Sequence, residues 1–404
     1  MKVAVIAPTI IPARKANTIQ VMKMTQAFTT LGHQVQLIIP DEPELDQGAD
    51  RSWDSLAKHY GLQNQFPMVW LPIRSKLRKY DYAWRAVHWA RRWGADVIYT
   101  RLPQAAALAA NQKQATIFEI HDYPLGTMAS WLLRLFLRGR GAHCLVVISQ
   151  VLAADLFEDY HISHDTLLTK VLPDGIDLQR YEGLAPPEES RELLFTELKT
   201  VNQDLASKFS PNVFTAGYTG HLYPGRGVSL ILDIAACIPE INILIVGGEP
   251  RDVNRVRRWV SDRNLENVTL AEFVPNTDLP RYQAACDVLM MPYQTHVSAS
   301  SGGDIGRYLS PMKLFEYMAC GRVICSSDLP VLQEVLSPEI AILLPPEDSD
   351  AWVTAIQKLK DDPTLRDDMS RRVKAAAKEY SWEDRAEKML DGFQKAGKQL
   401  SQIV

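Results

Sequence analysis

The stretch Leu309 to Glu334 reads LSPMKLFEYMACGRVICSSDLPVLQE and holds a loop, a helix and a strand in succession. Ser310-Pro311 breaks whatever precedes it, Met312 to Cys320 has the composition of a helix, and Gly321 closes that helix. Val323-Ile324-Cys325 then reads as a short buried strand. A helix beginning at Pro311 aims its unpaired backbone N–H groups and the positive end of its dipole at the preceding loop, which makes an anion site. Lys313 stands in the first turn, where a cation is unfavourable unless an anion lies between it and the helix end. Glu316 follows three residues later on the same face, and a carboxylate there can accept two hydrogen bonds from ribose hydroxyls. Lysine, helix end and diol-reading carboxylate describe a pocket for a nucleotide diphosphate. Ser310, Pro311, Met312 and Leu314 are its neighbours in the chain and join the donor-binding set.

Strands and helices alternate on both sides of this stretch. Lys2 to Pro8 is a continuous apolar strand of the kind buried on both faces of a parallel sheet. Asn17 reads as the N-cap of the next helix, whose apolar stripe is Ile19, Met22, Phe28 and Leu31. Further strands are expected at Val35 to Ile39, Val97 to Tyr99, Thr116 to Ile120, Cys144 to Ile148 and Val171 to Pro173. Asp174-Gly175-Ile176-Asp177 signals a turn, and the strand-poor segment from Tyr181 to about Ser210 marks a boundary. A second series follows at Phe214 to Tyr218, Ile243 to Val246, Val268 to Leu270, Val288 to Met290, Val323 to Cys325 and Ala341 to Leu344. The alternation predicts an α/β protein with two doubly wound Rossmann-like domains, residues 1–175 and 176–383, facing across a cleft. Ligands are expected at the strand carboxyl ends.

A chain of 404 residues is too long for one core. Its composition, 46% hydrophobic and 23% charged, is that of a soluble globular protein, and a net charge of -4 argues against a general nucleic-acid binder. The five cysteines lie in apolar contexts without metal spacing and read as reduced core residues of a cytosolic protein. The chain begins directly with a strand, so no signal peptide is expected, and no apolar run reaches the roughly 18 residues of a membrane span. The expected location is cytoplasmic, with a peripheral position at the inner membrane face left open.

That option comes from a basic run, Arg74, Lys76, Arg78, Lys79, Arg85, Arg91 and Arg92, interrupted by Asp81. Leu77, Tyr80, Trp84, Val87 and Trp93 share its helical period. Arg134, Arg138 and Arg140 lie beside Trp131, Leu132, Leu133 and Phe136. Two readings stay open: contact with an anionic membrane that suits a lipid-linked acceptor, or amphipathic helices with tryptophans in the core and arginines in water.

The opening stretch resembles the C-terminal donor site of GT-B glycosyltransferases, in particular retaining glycosyltransferase family four. The family pattern is a Glu, seven residues, a second Glu, and Ala-Met-Ala-x-Gly before a buried strand. Glu316-Tyr317-Met318-Ala319-Cys320-Gly321 supplies the second half, while Tyr308 stands where the first Glu falls. The form Ser-Pro-x-Lys-x-x-Glu-Tyr-Met-Ala resembles a sub-branch. The resemblance implies a GT-B fold, with 384–404 crossing back onto the first domain. It also implies transfer of a sugar from a nucleotide-diphosphate sugar to a glycan or lipid-linked acceptor hydroxyl, with retention and without metal or cofactor. Asp304, in Ser301-Gly302-Gly303-Asp304, is the candidate substitute for the missing donor-sugar carboxylate.

The loop Gly220 to Gly227 lies between a strand and a helix, and can deliver Arg226 beside a leaving diphosphate. By resemblance Arg226 takes the place of the family's lysine, and His221, a weaker cation at neutral pH, that of its arginine. A plain surface arginine is the alternative. His121 sits where a strand ends and a loop begins, a favoured place for a functional side chain. The family carries a histidine there near the transferred sugar; a structural histidine paired with Asp122 is the alternative. Arg14, Lys15 and Asn17 occupy the first loop, where family members carry a Gly-Gly that lets backbone amides approach the diphosphate. Gly247-Gly248 resembles the family's strand-end glycines beside the nucleobase, and Glu334 a downstream acidic position. Asp348-Ser349-Asp350 is formally Asp-x-Asp, but it precedes a helix and reads as a cap rather than a metal site. His121, Arg226 and Lys313 are thus the catalytic candidates. Two other functions stay open: a sugar-nucleotide 2-epimerase, whose additional acids the sequence does not display, and a non-catalytic nucleotide-sugar-binding partner, which Tyr308 and His221 keep in view.

Overall fold

The computed structural model describes residues 1–13, 15–41, 50–77, 79–162, 167–298 and 303–400; Arg14, Arg78, Ser301 and Gly302 lie outside the described residues. The chain forms two compact units, Met1–Asp174 with the segment from Trp382 onward, and Gly175–Ser381.

The first unit holds a parallel sheet of β1 (Lys2–Ile6), β2 (Gln34–Asp41), β3 (Met68–Pro72), β4 (Val97–Thr100), β5 (Thr116–Ile120), β6 (Ala142–Val147) and β7 (Leu168–Val171). Its order is β3-β2-β1-β4-β5-β6-β7. The central strands are the continuous apolar runs, buried on both faces as a parallel sheet between helix layers requires. The helix Trp382–Leu400 packs against the helix Ala16–Thr30 of the same unit.

The second unit holds β8 (Thr215–Thr219), β9 (Asn242–Val246), β10 (Val268–Ala271), β11 (Val288–Met291), β12 (Val323–Ser327) and β13 (Ala341–Leu344) in the order β10-β9-β8-β11-β12-β13, again parallel. Alternate residues of its strands feed separate cores on the two faces. Leu244, Val246, Leu289, Met291 and Ile324 join one; Ile243, Ile245, Val288, Met290 and Val323 join the other. The helix Met312–Cys320 sinks Leu314, Phe315 and Met318 into the first of these cores. That leaves Lys313 and Glu316 on its other side.

Three expectations are corrected. β3 is an additional strand: Met-Val-Trp-Leu-Pro is half-exposed at the sheet edge, and its short apolar run is bracketed by Pro67 and Pro72, which read as loop punctuation. Asn17 is not the N-cap. The helix starts at Ala16 with Lys15 as N-cap, and Asn17 stands in its first turn. The tryptophans of the basic helices are not all core residues. In the helix Tyr80–Trp93, Val87 is buried but Trp84 is 57% exposed; in the helix Gly126–Leu137, Leu132, Leu133 and Phe136 are buried but Trp131 is 54% exposed. Leu77, Tyr80, Leu125 and Met128 are exposed beside them. No helix among the described residues is long and apolar enough to cross a membrane.

Candidate functional site

The second sheet reverses its winding between β8 and β11, and the crevice outside the carboxyl ends at such a point is where α/β sheets take ligands. Two loops leave from there: Gly220 to Gly227, which follows β8, and the segment beginning at Pro292, which follows β11. Arg226 joins them, donating from Nη1 to the Tyr293 hydroxyl at 2.9 Å with its guanidinium 5.1 Å from the Tyr293 ring centroid. Its Nε is buried without a hydrogen-bond partner.

Lys313 enters the same place from the first turn of the helix Met312–Cys320. Its Nζ lies 3.7 Å from the Tyr218 ring centroid and 5.3 Å from that of Tyr293, closed off from solvent and without a hydrogen-bond partner. Burial, with Arg226 alongside, pushes the ammonium well below the ordinary lysine range, and Glu316 only partly opposes this. Aromatic faces stabilise a cation weakly compared with what a buried ammonium loses on leaving water. An arriving anion would supply the missing acceptor. The helix end adds to the demand: Pro311 is the N-cap at φ -81°, no side chain caps the first amides, and no acid stands in the first turn.

His221 stacks on Tyr223 with ring centroids 4.7 Å apart. Burial, then the charges of Arg226 and Lys313, push its pKa down to about 4, so the ring is neutral at neutral pH. The cation here is therefore Arg226, with Lys313 a second one wherever an anion offsets its burial. Gly220 and Gly247 let the ends of β8 and β9 close up around it. Gly220 has φ +133°, and a Cβ there would lie 2.9 Å from Lys313 Nζ. Gly247 has φ +110°, and a Cβ there would lie 2.6 Å from the Gly220 carbonyl oxygen. Gly248 packs against Leu222 and Val253.

Glu316 accepts a hydrogen bond at 3.3 Å from Gln283 Nε2, which also donates to Thr219 Oγ1 at 3.0 Å. The neighbouring Tyr317 hydroxyl accepts from the Thr219 amide at 2.8 Å. The helix is thus tied to the end of β8 with its carboxylate beside that strand. Ser310 and Met312 are half-buried, whereas the Leu314 side chain is wholly in the core. Asp304 Oδ1 accepts from the Val297 and Gly306 amides at 2.8 and 2.9 Å; these bonds close its loop and hold the carboxyl below its ordinary range. Among the described residues no hydrogen bond or ion pair links Asp304 to the Lys313 group. Asp348 caps the helix Ser349–Asp361 through the Ala351 amide at 3.0 Å, which is the capping role read from its sequence.

In the first unit, His121 lies just beyond β5, and its Nε2 pairs with Glu119 rather than with Asp122. Glu119 is wholly buried. Its Oε1 also accepts from Gln20 Nε2 at 2.8 Å and Arg385 Nη2 at 3.0 Å, and its Oε2 from the Tyr99 hydroxyl at 2.8 Å and Arg385 Nη1 at 3.1 Å. Glu119, His121 and Asp174 bring ligand-type atoms within 4.8 Å of one another. The Glu119 oxygens are already engaged, so this is an ion-pair network rather than an open ligand set. Lys15 is exposed, and its carbonyl accepts from Thr18 Oγ1 at 2.7 Å; Asn17 Oδ1 is buried without a partner.

Sequence reasoning missed Tyr218, Tyr293, Gln283, Glu119 and Arg385. Glu119 had a signal: an acid inside the buried strand TIFEI needs a partner. Arg385 had none, being one charge among many on an amphipathic terminal helix.

Comparison with known proteins follows the same division. Residues 18–180 match the family described as Glycosyltransferase Family 4, and residues 213–362 match Glycosyl transferases group 1. The chain is 24% identical over 310 residues to a 2-deoxystreptamine glucosyltransferase of Streptomyces kanamyceticus, covering 68% of this chain and 74% of that one. It is 25% identical over 263 residues to a D-inositol 3-phosphate glycosyltransferase of Corynebacterium urealyticum, where it spans 62% of its own length and only 56% of the relative's. Among solved structures, a glycosyltransferase from Rickettsia africae superposes with TM-score 0.73 at 12% identity, covering 98% of both chains. Anabaena HepE in complex with UDP-glucose superposes with TM-score 0.70 at 17% identity, covering 98% of this chain and 100% of that one. These likenesses establish the GT-B architecture.

Proposed function

We propose that this chain, whose residues 18–180 and 213–362 match glycosyltransferase family models, transfers a sugar from a nucleotide-diphosphate sugar to an acceptor hydroxyl. The observation that carries this reading is the buried Lys313 ammonium without a hydrogen-bond acceptor, beside Arg226 and an uncapped helix end. Two cations and a helix end that no side chain caps suit the pyrophosphate, whose negative charge grows as the glycosidic bond breaks. Glu316 takes the ribose hydroxyls, and the glycines at Gly220, Gly247 and Gly248 leave room for the nucleotide against the backbone. His221, being neutral, can serve as a hydrogen-bonding partner without adding charge. His121 and Asp304 are assigned the sugar, and Lys15 with Asn17 the acceptor side of the diphosphate. Arg226 and Lys313 do the charge neutralisation that a metal would otherwise do, so the proposed reaction needs neither metal nor cofactor. Retention of configuration rests on the family likeness.

UDP-glucose is the first donor to test, because Anabaena HepE holds it. For the acceptor we favour a lipid-linked saccharide at an anionic membrane. The exposed Leu77, Tyr80 and Trp84 lie at the start of a helix that follows β3, and Leu125, Met128 and Trp131 at the start of one that follows β5. Both helices therefore begin on the strand-carboxyl rim that bears His121, with Arg85, Arg91, Arg92, Arg134 and Arg138 further along them. A thermal-shift panel of nucleoside diphosphates and sugar nucleotides identifies the donor through mass action. Release or transfer of labelled sugar from that donor then confirms an enzyme. Stabilisation without turnover, with lipid-linked acceptors present, would instead mark a nucleotide-sugar-binding partner protein.

A further inference from the structure

Among the described residues of the first unit, one heavily bonded carboxylate has no role assigned so far. Glu119 receives five hydrogen bonds, from Gln20, Tyr99, His121 and twice from Arg385. Arg385 comes from the last helix and is itself fixed on every side. Its Nε donates to the Pro173 carbonyl at 2.7 Å, Nη2 to the Leu172 carbonyl at 3.0 Å, and Nη1 lies 3.3 Å from Met24 Sδ. Neither side chain is accessible to solvent, while His121 keeps an exposed edge. Burial alone would raise the Glu119 pKa, but Arg385 and the His121 hydrogen bond outweigh it and hold the group well below the ordinary carboxylate range.

An ionised carboxylate can only accept. The Nε2 of His121 therefore bears the hydrogen in this pair, and in the neutral ring Nδ1 is left as a lone-pair acceptor. We propose that Glu119 and Arg385 are positioning residues for His121, with the arginine of the terminal helix clamping the carboxylate that fixes the histidine as its Nε2–H tautomer. The ring then offers an acceptor nitrogen to a sugar or acceptor hydroxyl. Among the described residues, the other charged or titratable groups facing this network are Asp174, Arg101, Tyr99 and Cys144. This inference rests on the role given to His121 above and adds how that role is set.

The test is nitrogen-15 spectroscopy of histidine-labelled protein, with the His121 signal assigned by loss in His121→Asn, together with steady-state transfer kinetics. Wild-type protein at mildly alkaline pH should show His121 as the Nε2–H tautomer. The double variant Glu119→Gln/Arg385→Met removes both charges of the pair together, so neither is left without the other. It should move His121 toward the Nδ1–H form and lower kcat by about tenfold or more, with the donor KM within about threefold, as expected for a wrong tautomer. Arg385→Lys should keep the Nε2–H form and most of the turnover. A double variant that retains the Nε2–H tautomer, or that changes tautomer with kcat essentially intact, overturns the proposal. If the wild-type protein transfers no sugar, the transferase reading falls, and the tautomer measurement alone still decides the positioning.

Discussion

His221 shows how one residue's surroundings decide its chemistry. As a sequence letter it stood in an arginine's place as a weak cation; in the fold it is stacked, half-buried and next to two charges, with its pKa down at about 4. The unfolded chain binds its proton at the ordinary value of 6.5. Stability is therefore unaffected above that value and is lost as pH falls through the interval down to about 4, by about 3 kcal/mol at most. Denaturant unfolding at several pH values checks this: His221→Gln should lose less stability than the wild type between neutral pH and pH 4.5. Equal pH slopes would mean that His221 is not desolvated. Lys313 was legible from its position in a helix first turn after Ser310-Pro311. The rings that hold it, Tyr218 and Tyr293, were not legible, because they come from strand ends far off in the chain and meet only through the sheet order.

Among the elements, the strands inside the sheets announced themselves and the edge strands of the first sheet did not. β1, β5 and β9 read as buried runs because they lie inside their sheets with both faces under helices. β3 and β7 are half-exposed edge strands whose polar residues and prolines mimic loop. Asn17 misled because Asn is a favoured cap residue, and Lys15, which caps only through its backbone, gives no such signal. The approach of β8 and β9 depends on glycine at both strand ends. Gly247→Ala would place a methyl 2.6 Å from a backbone oxygen at a φ of +110°. It should cost about 1–3 kcal/mol, read as a lowered denaturation midpoint, and should weaken nucleotide binding with it. A midpoint equal to the wild type would show that the two loops are not held as described.

Over the whole molecule, alternating strand and helix signals gave two Rossmann-like units, because that alternation is local in the chain. Which helix faces stay bare is not local. The basic helices were equally consistent with a core stripe until Trp84 and Trp131 proved more than half exposed. Sedimentation with vesicles tests the surface they form. The protein should bind anionic phosphatidylglycerol vesicles better than phosphatidylcholine ones, and Trp84→Ser/Trp131→Ser should weaken that binding about tenfold without altering nucleotide affinity. No binding at low ionic strength would leave a water-borne glycan as the acceptor class.

The central claim is that the helix tip at Pro311 and the Arg226–Lys313 pair grip a nucleotide diphosphate. Calorimetric titration of UDP and UDP-glucose into wild-type, Lys313→Met and Glu316→Ala protein tests it most directly. Saturable binding to the wild type, weakened by about 1–3 kcal/mol in each variant while both retain the wild-type melting temperature or exceed it, is the expected result. Wild-type binding that survives undiminished in Lys313→Met would contradict the account.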